Sequence, residues 1–347
     1  MTRAVTAILI IVSALLRPVL ATESSLPDSA ERKFLHELAD WEAAKTDLND
    51  SPTGSWVLRS EHFVFGMPRL SDARHDFKPQ DAPRTQPGIS IVVRESYVAA
   101  HFDRMKAPLW VAQRWTRWDA ERMGDVASQD RPWQEDLALP SYARGGISYD
   151  GNKTELDRGH MAMHAMNRAW GIDGSNWGCK MSNSVPQHKR VNRFSSAWGD
   201  LEDEVRKVVT KEWTGIEAVW TIAGAVYRDE QNSAGESPED DFENVVRITK
   251  GRIAVPDATY KIVGWFDEQR RFQARAFVFE QPHVAEEEDG ELSLSYDLGN
   301  TKAPLADYIV SIDELEERTG VDFFPMMRDF IEGIVEEPVH QDVWGAE

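Results

Sequence analysis

The sequence predicts a mixed α+β fold built as one domain, on three observations. Strand-like runs punctuated by Gly, Pro, Asp and Asn occupy two separate stretches, one strongly amphipathic helix lies between them, and neither a repeat nor a linker divides the chain. Hydrophobic residues make up 41% and charged residues 28% of the 347, enough apolar material for a core of that extent. Trp and Phe are spread along the chain as far as Trp344, which excludes a long disordered half.

Taken in order, Arg3 precedes the apolar run Ala4 to Leu16, followed by Pro18, Val19, Leu20 and Ala21. This is the pattern of a secretory signal peptide, residues 1–21, cleaved after Ala21. The run is shorter than the roughly twenty residues that a spanning helix needs. An exported protein, periplasmic or secreted, with no stable membrane association after cleavage is expected. Residues 22–55 read as a leader and one surface helix, with Phe34, Leu38 and Trp41 at helical spacing. The main domain spans 56–330. Its first strands are expected at Trp56 to Leu58, His62 to Phe65, Ile89 to Arg94 and Leu109 to Thr116. A long loop over Arg117 to Asn152 follows, and loops of that length tend to be functional.

Phe194, Ala197, Trp198, Leu201, Val205 and Val208 then form a 3.6-period stripe, the clearest helix in the chain. Strands resume at Ala218 to Tyr227, Val245 to Val255, Tyr260 to Phe266 and Gln273 to Phe279. A short helix over Ile309 to Arg318 is expected to end at Gly320, and 331–347 form a C-terminal tail.

The net charge of −20 argues against a protein that coats nucleic acid electrostatically. The charge is uneven, however. Asp229 to Glu243 is densely acidic, whereas Lys180 to Arg193 holds Lys180, Lys189, Arg190 and Arg193 and no acid. An enzyme needs only a local basic groove, and acidic runs are usually solvated loops. Cys179 is the only cysteine, so no internal disulfide can form even in an oxidising compartment. It reads as a small packing residue rather than a nucleophile.

The sharpest chemical feature is Asp157-Arg158-Gly159-His160. It offers a proton acceptor beside a permanent cation, with Gly allowing a ligand close to the backbone. Phosphodiester hydrolysis needs both groups: His deprotonates the attacking water near neutral pH, and Arg neutralises charge on the phosphoryl oxygens. His164 lies four residues after His160, but a zinc protease helix requires Glu directly after the first His, where Met161 stands.

Further motifs surround this string. Asn183-Ser184-Val185-Pro186-Gln187 is followed by Asn192, Trp198, Leu201 and Glu202; upstream lie Phe65-Gly66-Met67-Pro68, Trp110-Val111 and Arg131-Pro132-Trp133. Downstream come Ile222 to Val226, Val255-Pro256, Tyr260-Lys261 and Thr319 to Pro325. In this order the chain resembles the DNA/RNA non-specific endonucleases, the ββα-metal (His-Me finger) group, over roughly Phe63 to Pro325.

The resemblance implies an α+β fold with a ββα-metal core and a central, mainly antiparallel sheet flanked by helices. It implies His160 as general base, Asn192 as the single protein ligand to Mg²⁺ (Mn²⁺ being another candidate), and Glu202 orienting metal-bound water. Arg158 and Arg131 would contact the substrate phosphate, with Arg193 also at the substrate. Magnesium keeps several waters and often takes one or two protein oxygens, so a lone carboxamide suffices. The implied substrates are DNA and RNA, hydrolysed to leave a 5′ phosphate, and a homodimer is an assembly option that no self-complementary segment carries.

One departure from the family is the six steps from Asn192 to Trp198, where four are common. A bulge over Phe194 to Ser196 is expected to absorb them. Asn183 and Gln187 read as fixing the loop behind the metal rather than touching substrate. Two other readings stay open: a catalytically decayed binding protein on a nuclease scaffold, and hydrolysis of smaller phosphodiesters or nucleotides.

Overall fold

In the computed structural model the described residues are 62–70, 88–123, 132–147, 149, 155–193, 196–209, 216, 218–227, 245, 247–248, 252–267, 269–282, 284–286, 292–294, 303–325 and 327. The predicted signal, N-terminal helix, first strand, C-terminal tail and Arg131 lie outside them, as do Phe194 and Ser195.

Strand β1 is Arg69–Leu70; β2 (Ile89–Val93), β3 (Val98–Phe102) and β4 (Ala107–Thr116) form a meander, and α1 (Arg117–Arg122) leaves β4 directly. Next, β5 (Leu156–His160) is separated from β6 (Ser184–His188) by α2 (His164–Asn167), a 3-10 turn at Arg168–Trp170 and α3 (Gly171–Gly178). Helices α4 (Lys189–Asn192) and α5 (Ala197–Lys207) follow β6. The remainder holds β7 (Ala218–Val226), β8 (Arg247–Ile248), β9 (Ile253–Ala254), β10 (Ala258–Phe266), β11 (Phe272–Glu280), β12 (Val284–Glu286) and β13 (Leu292–Leu294). Last come β14 (Ile309–Val310), α6 (Ile312–Thr319) and β15 (Val321–Asp322). Among the described residues, no helix is long and apolar enough to cross a membrane.

A seven-stranded sheet in the order β14-β11-β10-β7-β4-β3-β2 forms the centre, every pair antiparallel. Its middle strands are buried on both faces and so read as near-continuous apolar runs. One face packs Val263, Trp265 and Phe279 against Trp198, Leu201 and Val205 of α5 and Met161 after β5. The opposite face packs Tyr260, Ile262 and Trp110 against α6 and Phe323. Each large side chain so buried contributes on the order of 1.5–3 kcal/mol, which holds the β5-β6-α5 layer on the sheet.

Most strand positions follow the sequence pattern, and the exceptions have local causes. His62 to Phe65 was expected as a strand, yet it forms no ladder; Phe63 and Phe65 instead dock edge-on against Trp110, Phe272 and Phe324. The His62 ring takes the place of a strand partner, its Nδ1 accepting from the Arg114 backbone N–H at 2.9 Å while Nε2 faces the Glu95 carbonyl at 3.1 Å. The run Val245 to Val255 breaks into the short pair β8-β9. Strand β3 escapes the pattern because its first four residues are all buried, leaving no alternation. Within the expected loop 117–152, α1 forms because Thr116 and Asp119 make a capping box.

The buried His62 imidazole yields a pH prediction. Burial, opposed by the Glu95 carbonyl and aided by the Arg114 charge, pushes it from 6.5 down to about 4. Above 6.5 both folded and unfolded chains hold it neutral, and nothing is gained or lost. As the pH falls from about 6.5 to about 4, only the unfolded chain takes up the proton, so stability declines by on the order of 3 kcal/mol. In urea titrations, the stability gap between wild type and His62→Gln should therefore narrow through that window. Parallel profiles would rule the linkage out.

Candidate active site

The site is built on the β5-β6 hairpin, paired from Leu156↔His188 to His160↔Ser184. Strand alternation puts Arg158 and His160 on one face and Asp157 and Gly159 on the other. Gly159 was read as clearing room for a ligand, but the space its Cβ would fill holds Gln187, whose Oε1 lies 2.2 Å from that position. The glycine serves close packing across the hairpin.

On the first face, the His160 ring lies against Trp133 at 4.7 Å between centroids and against His164 at 5.3 Å. Arg158 donates from Nε to the Ile147 carbonyl at 2.9 Å, and its guanidinium sits 5.7 Å from the Trp133 ring and 5.5 Å from that of Tyr149. The His160 imidazole and the Arg158 guanidinium thus share one aromatic frame. Trp133 is held there by its neighbours: Gln134 exchanges backbone bonds with Cys179 and Met181, and Asp136 accepts from Arg94 at 2.6 Å and from Ser182 at 2.6 Å. Arg131, which precedes this anchored segment, lies outside the described residues.

On the second face, Asp157 accepts two bonds from Arg193, at 2.7 and 2.8 Å, and one from the Asn192 amide at 3.3 Å. Burial works against the Asp157 carboxylate, but the bonds from Arg193 and Asn192 outweigh it and hold the group below its ordinary value. Arg193, 64% exposed, is therefore engaged by Asp157 rather than aimed solely at a substrate. Helix α4, which carries Asn192, starts where the His188 side chain accepts the Arg190 backbone N–H, with Glu155 3.4 Å from the other ring nitrogen. Burial lowers the His188 imidazole, opposed by Glu155.

Helix α5 is capped by Ser196, whose side chain accepts from Gly199 N–H at 3.3 Å; Phe194 and Ser195, where the expected bulge begins, lie outside the described residues. Glu202 on this helix accepts from Trp198 Nε1 at 3.1 Å and from Lys261 Nζ at 2.7 Å. Lys261 is fully buried, and its ammonium lies 4.1 Å from the centre of the Trp198 ring. Two residues before it on the same face of β10, Thr259 accepts from Gln187 at 2.9 Å. The central sheet therefore grips both the hairpin and α5 through one strand.

Asn183 accepts from the Ala162 N–H at 2.7 Å and donates to the Ala162 and Gly178 carbonyls, fixing the chain just past His160. Gln113 holds the next residue, accepting from Met163 N–H at 3.1 Å. Asn183 and Gln187 thus act as internal struts. His160 ends a strand and His164 opens a helix, so the pair does not form the single helix face of a zinc protease.

Asn192 offers one half-buried carboxamide beside a carboxylate, and among the described residues no group of three or more His, Cys, Asp or Glu could hold a metal. A carboxamide beside a carboxylate fits a hard, largely hydrated divalent cation.

Four functional side chains had been assigned no role from sequence: Asp157, Trp133, Tyr149 and Lys261. Lys261 had left a signal, being the one charge in the apolar run Ala258–Phe266. A charge in such a run needs a partner.

Comparison with known proteins fits this geometry. The family model for DNA/RNA non-specific endonucleases matches residues 82–330. The chain is similar to mitochondrial endonuclease G of Homo sapiens, 25% identical over 241 residues covering 69% of this chain and 71% of that protein. It is similar to a nuclease of Serratia marcescens, 27% identical over 237 residues, 66% of this chain and 73% of that one. A nuclease of a Nostoc species is 28% identical over 257 residues, 72% of this chain and 78% of its own. A chain of the crystal structure of the EndoG/EndoGI complex shares the fold, with a TM-score of 0.54 and 21% identity, covering 70% of this chain and 89% of that one. With the β5-β6-α5 layer seated on an antiparallel sheet and the family match spanning most of the chain, this protein belongs to the DNA/RNA non-specific endonuclease family and is a nuclease, a hydrolase.

Proposed function

We propose that the chain is an exported, Mg²⁺-dependent endonuclease that cleaves DNA and RNA alike, reading backbone rather than bases. The observation that carries the reading is the pairing of Arg158 and His160 on one face of β5, framed by Trp133, with Asn192 following the same hairpin. His160 takes the proton of the attacking water, and Arg158 draws the phosphate in and neutralises its developing charge. Asn192 would hold the cation, which supplies Lewis-acid stabilisation of the phosphate and the leaving 3′ oxygen. Arg131 and Arg193 contribute phosphate contacts, and Glu202 orients a water at the cation.

In this reading residues 1–21 are removed on export to the periplasm or medium, 22–55 form a leader and helix, 56–330 the nuclease domain, and 331–347 a tail. A homodimer is compatible with it. The test uses protein recovered outside the cytoplasm, with Thr22 expected as its first residue. Plasmid DNA and total RNA should both be degraded with Mg²⁺, and EDTA should stop both reactions. Intact polymers with and without EDTA would instead favour the decayed, binding-only scaffold.

A further inference from the structure

A second surface outside the His160 site pairs indoles with a guanidinium. Trp118 on α1 is 48% exposed, its ring meets that of Trp170 edge-on at 5.9 Å, and the Arg122 guanidinium lies 4.2 Å from its centre. Ile172, 55% exposed, follows Trp170 in sequence, and Arg168 opens the same 3-10 turn. Of the acids in this stretch, Asp119 is buried in the capping box, Glu121 lies 3.9 Å from Arg117, and Asp173 is exposed beside Ile172. The face is aromatic, with one guanidinium, that of Arg122, set on the exposed Trp118 ring.

A short run of chain joins this face to the active site. From the His160 ring it is 5.3 Å to that of His164, and the Arg168 N–H bonds to the His164 carbonyl, one helical turn on. Trp170 completes the path. Trp170 stands ten residues after His160 in the chain.

We propose that Trp118, propped by Trp170 and with Arg122 against its ring, is a stacking platform for an unpaired base of a single-stranded nucleic acid that is cut at the His160 site. The proposal rests on the endonuclease reading for its substrate. An indole takes any base by a π-face, here the one that Arg122 does not cover, and the guanidinium on the ring adds charge for the backbone phosphate. Bases of a duplex are already stacked and cannot use it.

The test measures binding of a labelled single strand of roughly fifteen nucleotides, about 50 Å when stacked, by fluorescence anisotropy in EDTA, where metal-dependent cleavage is stopped. Trp118→Ala should weaken the Kd by about 5- to 100-fold, Trp118→Phe should recover most of it, and the Kd for a duplex of equal length should stay within twofold. With Mg²⁺, KM for the single strand should rise while kcat holds. Unchanged single-strand affinity in a Trp118→Ala protein that unfolds at the wild-type temperature would overturn the platform, as would equal weakening on duplex. If Mg²⁺ brings no cleavage while Trp118→Ala still weakens the single strand selectively, the endonuclease reading falls and the platform stands.

Discussion

Replacing His160 by Ala is expected to lower kcat on plasmid DNA and on RNA by roughly 10²- to 10⁴-fold, the range set by loss of a positioned general base. KM should change little, because Arg158 keeps its own bond to the Ile147 carbonyl and its place between Trp133 and Tyr149. Stability should change little as well. His160 is half-buried at the end of β5, and the chain beyond it is fixed by Asn183 and Gln113 rather than by the imidazole. The measurement pairs single-turnover cleavage with a thermal unfolding curve. A His160→Ala protein that cleaves at more than a tenth of the wild-type rate would remove this residue as the base.

The same contrast between a reacting group and its supports explains what the sequence made legible. Strands β4, β7, β10 and β11 were readable because apolar runs bounded by turn residues carry their own signal. Helix α5 was readable from Trp198, Leu201 and Val205, and the end of α6 from Gly320, which sits in the left-handed region. The His160 motif was readable because its residue types are the chemistry. What stayed hidden depends on contacts distant in sequence. Trp133 reaches His160 across 26 intervening positions through anchors at Cys179, Ser182 and Arg94, and no local periodicity encodes that. Gly159 shows the opposite error: read alone, it suggests ligand approach, whereas its partner Gln187 lies on the other strand of the hairpin.

Glu202 brings these two kinds of role into one side chain, and the second large prediction separates them. Its carboxylate accepts from Lys261, which is fully buried and whose ammonium burial pushes down against the pull of Glu202. Glu202→Ala leaves that ammonium in the core with only the Trp198 ring beside it, and should cost about 3–5 kcal/mol, an unfolding midpoint lower by on the order of 10 °C. Lys261→Met should cost less, since the Glu202 side chain is 26% exposed and retains water and Trp198 Nε1 as partners.

Combining Glu202→Gln with Lys261→Met removes both charges and should restore the midpoint to near wild type, because a buried pair exchanged for neutral groups of similar volume is often close to neutral in stability. Activity then decides what the carboxylate does. If it also orients a water at the cation, the double variant folds normally yet cleaves roughly 10- to 100-fold more slowly and needs more Mg²⁺ to saturate. Recovery of both stability and rate in the double variant would reduce Glu202 to a strut between α5 and β10, and the water-orienting role would have to be sought elsewhere around Asn192.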